Sequence, residues 1–125
     1  QTTYKTSMYE CPYEDTKINY TLADMLTEKY KKLGVEEVNP VDEVPCGSTD
    51  VGSVSYVCPT IQGTIKIAGC EVAGHSKEMA AATISEDGKV GLVKAASAIA
   101  LIALDLIVKP EMLEKAKQEF KERTC

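Results

Sequence analysis

Histidine and arginine are nearly missing from this sequence: His75 is the one histidine and Arg123 the one arginine among 125 residues. A zinc site needs three or four ligands and imidazole is its commonest neutral one, so a single histidine excludes a metal centre of the His-rich kind built by this chain alone. With 14 Lys+Arg against 19 Asp+Glu the formal charge is −5 and the pI near 4.9. Binding to a phosphate backbone by charge is thereby excluded, and no nucleic-acid partner is expected. The five cysteines, Cys11, Cys46, Cys58, Cys70 and Cys125, form no C-x-x-C pair, and an odd number leaves at least one unpaired. They read as reduced thiols of a cytoplasmic protein. The start, QTTYKTSMYE, has no apolar core, so no secretory signal is expected. Asn19-Tyr20-Thr21 fits the glycosylation triplet, which short sequences also produce by chance. Lys94 and Asp105 interrupt the most apolar stretch, VGLVKAASAIALIALDLIV at 90–108. The run left between them, Ala95 to Leu104, falls well short of the roughly 20 residues of a membrane span, so a buried helix is expected and no membrane partner.

What is present is ordinary for one globular domain, with 44% hydrophobic and 26% charged residues. Residues 1–10 alternate loosely and predict a strand with one wet face, followed by a Pro-containing linker from Cys11. Leu22, Met25, Leu26, Tyr30 and Leu33 recur at helical spacing, with Thr21 and Asp24 as a capping-box-like start and Gly34 as the stop. Short strands are predicted at 35–38, 54–58 and 64–68, with a turn at Pro59 to Gly63. Helices are predicted over 77–84 and about 89–108, separated by SEDG at 85–88. A last helix begins at Pro110, with Met112, Leu113, Ala116 and Phe120 on one face. The order implies an α/β layer arrangement with helices packed on a sheet. Asp105 is expected on the polar edge of its helix or bonded to neighbouring backbone.

Two stretches could carry chemistry. GSTDVGS at 47–53 holds two glycines, three hydroxyls and a carboxylate; it could form an anion-binding nest, or serve as a polar turn in which Ser48 and Asp50 bond local backbone. His75, in AGHSKEM at 73–79, could ligate a metal, pair with the Cys46 thiol, or be a helix-start residue satisfied by backbone. Glu78 could hold an imidazole in one tautomer or be a plain surface acid, and Lys77 reads as solvent-facing.

Taken in order, GSTDVGSVSY (47–56), a Pro-Thr turn, a strand ending in Gly69, GHSKEM (74–79), a long Ala-rich helix and PEMLEKAKQEF (110–120) resemble the C-terminal end of the zinc-dependent amidohydrolase and exopeptidase family. That family includes aminoacylases and succinyl-diaminopimelate desuccinylase, and the aminobenzoyl-glutamate hydrolase branch looks closest. The resemblance implies the C-terminal portion of a three-layer helix/sheet/helix catalytic domain over 13–125, preceded over 1–12 by the last strand of a lid domain and its hinge. It implies that His75 is the last metal ligand, that Gly47, Ser48, Thr49 and Asp50 lie near substrate, and that Glu78 stands behind the histidine. The family's His-x-Asp, its Glu-Glu pair with the general base and a further acidic ligand have no counterpart here; Glu36-Glu37 follows the first helix and does not replace them. The expectation is a portion of a metal-dependent hydrolase of N-acyl amino acids or small peptide-like substrates, inactive alone. Zinc or another divalent metal would be held only with the missing N-terminal part of the domain, and the intact protein would dimerise through its lid. The alternative is a stand-alone binding or assembly module that keeps the fold without the enzyme.

Overall fold

The computed structural model describes residues 2–9, 11–36, 38 and 48–124. Among the described residues five helices follow one another: α1 (Tyr20–Lys32), α2 (Val51–Val54), α3 (Lys77–Thr83), α4 (Glu86–Val108) and α5 (Pro110–Thr124). Helices α1, α4 and α5 pack against each other pairwise, and α3 rests on α4. Leu22 and Met25 of α1, Ile102 of α4 and Ala116 of α5 form the core, with Leu26, Ile61, Leu106 and Met112 packed around them.

No strand occurs among the described residues, which corrects the expected α/β fold, its three-layer domain and its leading lid strand. Each predicted strand fails for a local reason. Residues 3–9 are exposed and meet no neighbouring strand, and alternation without a partner makes no ladder. Val35 is engaged by the end of α1. Its N–H donates to Tyr30 O (2.9 Å), Gly34 N donates to Lys31 O (3.1 Å), and Gly34 takes φ +72°, which together form a Schellman cap. The stretch 54–58 coils instead of extending, because Ser55 Oγ donates to Gly52 O (2.5 Å) and accepts from Lys17 N (2.9 Å). A serine bonded in this way holds local backbone that a strand would need free. Only 64–68 keeps its alternation. Ile65 and Ile67 both face Gly91 of α4, where an added Cβ would lie 2.7 Å from Ile67 Cγ2, so the period of two appears as packing on a helix rather than pairing in a sheet.

Four of the five helices described follow the sequence closely, and α2 falls where a polar turn leading into a strand is expected. The N-cap of α1 is Asn19 rather than Thr21: its side chain accepts from Leu22 N (3.1 Å) and donates to Ala116 O (2.9 Å). Asn19 is buried at 3% exposure, so the glycosylation triplet is closed to modification in this fold. Glu119 of α5 takes the next two donors, Tyr20 N (2.6 Å) and Thr21 N (2.9 Å), and also the Thr21 hydroxyl (2.8 Å). With Asn19 N on Thr60 O (3.0 Å), all four free amides of the helix start are satisfied. Burial pushes the Glu119 carboxyl up, but the two amides, the hydroxyl and Arg123 outweigh it and hold the group below its ordinary value. Glu119→Ala should therefore lower stability by about 2 kcal/mol, read as a lower urea midpoint with an unchanged slope. A midpoint equal to the parent's would show that water replaces the carboxylate without loss.

Only Ile84 and Ser85 separate α3 from α4, and Ser85 caps α4 by accepting from Gly88 N (3.1 Å), so SEDG is a cap and a first turn rather than a loop. Pro110 opens α5 as expected. The expected burial of α4 is not what forms. The helix is long and apolar enough to cross a membrane by length and composition, and only 17% of its most apolar window is buried. Its two mid-helix charges both turn toward α1: Lys94 Nζ donates to Gly34 O (2.8 Å), and Asp105 pairs with Lys29.

Candidate functional site

His75 stands in the turn before α3, exposed. The next residue, Ser76, is the N-cap: its hydroxyl donates to Ala73 O (2.7 Å) and accepts from Met79 N (3.1 Å). That pair of bonds fixes the turn, and the imidazole projects from it without a hydrogen bond or ion pair among the described residues. Glu78 and Lys77 lie in the first turn of α3 and are exposed. The structure thus keeps His75 and Glu78 three residues apart at one helix start but puts no bond between them.

The second stretch leads into α2. Thr49 Oγ1 accepts from Val51 N (3.3 Å), Asp50 O accepts from Ser53 N (3.1 Å), and the Ser48 and Asp50 side chains are exposed. Gly47 and Cys46 lie outside the described residues. Glycine is required at 52, since a Cβ there would come within 1.9 Å of Glu14 O, so the backbone at 14–15 lies directly on α2. Further bonds hold that contact: Tyr56 Oη donates to Asp15 Oδ1 (2.5 Å), and Lys17 Nζ sits 4.2 Å from the centre of the Tyr56 ring. The Asp15 carboxylate beside it pushes the Tyr56 phenol up to about 12. None of Ser55, Asp15 and Lys17 was given a role by sequence reasoning, because each bond spans about 40 residues.

Ser48 lines an open hollow of about 370 Å³ with Ser7, Met8, Tyr13 and their neighbours. His75 is not among its walls, so the structure does not gather the histidine and the 48–50 loop into one cavity. Among the described residues no group of three or more His, Cys, Asp or Glu side chains could hold a metal ion. Cys11, Cys58 and Cys70 are free and exposed. The residues present therefore do not fit a complete metal centre: they offer one unengaged imidazole, a donor that other groups would have to complete.

Two curated relatives match most of the chain. It is similar to the Xaa-Arg dipeptidase of Mus musculus, 39% identical over 105 residues that make up 82% of this chain and 24% of the relative. It is also similar to the Xaa-Arg dipeptidase of Homo sapiens, 34% identical over 111 residues, 87% of this chain and 25% of the relative. The chain thus spans about a quarter of the length of the curated relatives it matches. No protein-family model and no solved structure matches it. These relatives tie the chain to peptidases, the broader of the relations its motifs imply.

Proposed function

We propose that this chain is the His75-bearing part of a metal-dependent hydrolase that cleaves amide or peptide bonds in N-acyl amino acids or small peptide-like substrates, and that it is inactive without the rest. The observation that carries this is the match to dipeptidases over 82% and 87% of the chain, against only 24% and 25% of the relatives. A catalytic centre that needs a base and several ligands then has three quarters of a polypeptide from which to draw them. In this reading His75 is one metal donor, free to turn because Ser76 alone anchors the backbone. Glu78, one helical turn on, orients its ring, and Ser48, Thr49, Asp50 and Gly47 face the substrate. Zinc or another divalent ion would supply acidity to a bound water, while a base outside this chain would take the proton. The aminobenzoyl-glutamate branch remains part of this proposal, as do a cytoplasmic location and dimerisation of the intact protein through a lid.

The test combines this chain with a separately produced polypeptide carrying the part of the mouse dipeptidase outside the matched residues, and titrates zinc by calorimetry. Tight binding is expected only for the mixture, and His75→Ala should weaken it by on the order of 100-fold or more. A folded mixture whose zinc affinity does not change with His75→Ala would overturn the assignment. It would favour the second reading, a stand-alone binding module, which has its own support: α1, α4 and α5 close a core, with Ile61 packed against it, from this chain's own residues.

A further inference from the structure

Over residues 90–108 of α4 the ionisable side chains are Lys94 and Asp105, and both are bonded toward α1, to Gly34 O and to Lys29. The other side of the helix is left without charge. Leu92, Val93, Ile99, Leu104, Ile107 and Val108 are all more than half exposed there, Ile107 at 77%. At 100° per residue these six cover roughly 180° of the circumference, along about 24 Å of the helix. An apolar face of that extent on a water-soluble body marks an interface.

We infer that the outer face of α4 is an interface for the remainder of a longer hydrolase polypeptide, the three quarters that the relatives possess beyond the matched region. This rests on the proposed function in one respect, that such a polypeptide exists. Three observations choose this occupant. The relatives are about four times as long as the segment matched, so ample chain is available to cover the face. The width of the face calls for a broad layer, because two α4 helices packed as cylinders would touch along a narrower stripe and leave Ile99 and Val108, near its opposite edges, in water. Insertion into a lipid bilayer would draw in α1 and α5, which flank α4 and carry exposed Glu28, Lys31 and Lys32 on one side and Glu114, Lys117 and Lys121 on the other. Burying those charges in hydrocarbon is prohibitive.

The test uses Ala100→Cys, at an exposed position in the middle of the face, and follows maleimide modification of the peptide carrying residue 100. The chain alone should react freely. Addition of the unmatched part of the mouse dipeptidase should slow modification at least 10-fold, and Ile107→Asp should abolish the complex while leaving the melting temperature of the chain alone unchanged, since Ile107 is exposed. Protection by phosphatidylcholine/phosphatidylglycerol vesicles in place of the polypeptide, or by self-association that the polypeptide does not reverse, would overturn the inference. So would a complex in which residue 100 stays reactive, even if that complex binds zinc through His75. A complex that protects residue 100 and binds no zinc would sustain the interface and remove the metal role of His75.

Discussion

Asp105→Ala should lower the melting temperature by on the order of 10 °C, the largest stability effect expected of any single substitution in the core region. The reason lies in what the variant leaves behind. Lys29 sits on the apolar stripe of α1 with its side chain only 7% exposed, and Asp105, 18% exposed, is the carboxylate that pairs with it; Lys109 joins the same carboxylate at 2.9 Å. Removing Asp105 strands an ammonium in a desolvated place, which costs more than the pair itself contributes. Lys29→Met in the Asp105→Ala background should then recover most of the loss, and a double variant no more stable than Asp105→Ala would show that the cost comes from packing instead. The same pair sets the acid limit. The hydrogen bond from Lys29, aided by that from Lys109, holds the Asp105 carboxyl down at about 2 against an ordinary value of 3.8. Because the folded value is depressed, the stabilisation is fully present above about 3.8 and disappears as pH falls through about 2. Urea midpoints measured across that window should fall more steeply for the parent than for Asp105→Asn, and parallel curves would exclude the pair as a source of acid sensitivity.

That pair also shows which parts of the fold are legible from the residues. Lys29 falls on the face of α1 defined by Leu22, Met25, Leu26 and Tyr30, and Asp105 interrupts the apolar face of α4. Two opposite charges, each misplaced on its own helix, are the available signal of a bond between them. Helix positions are legible where their causes are local: the spacing of apolar residues, Gly34 at a positive φ, and Pro110 at a helix start. The sheet was misread because pairing is not local. Ile65 and Ile67 alternate as a strand should, yet their partner is a helix glycine, and Ser55 turns 54–58 by bonding Lys17, 38 residues away. The same limit governs the candidate site. Sequence places His75 before a helix and Ser48 to Asp50 in a polar turn, and both positions hold. The distance between them depends on contacts that no local pattern encodes.

If the proposed function holds, His75→Ala in the assembled protein should reduce kcat/KM for a dipeptide substrate by about 1,000-fold or more, because several kcal/mol of transition-state stabilisation would depart with the donor proposed for the catalytic ion. Glu78→Gln should cost only about 10- to 100-fold, the range for a group that orients a ligand rather than serving as one. The pair of values separates the roles better than either alone. Glu78 also has a plain structural use, as an acidic residue in the first turn of α3, where a carboxylate favours the helix start. If that is its whole contribution, Glu78→Gln should shift the melting temperature of the isolated chain slightly and leave kcat/KM and zinc affinity of the assembly untouched. If it also orients His75, both zinc affinity and kcat/KM of the assembly fall together, beyond that small shift in the isolated chain. Equal losses for the two variants would make Glu78 a ligand in its own right. Full activity in His75→Ala would remove His75 from the catalytic centre and leave the 48–50 loop as this chain's remaining candidate contribution to the site.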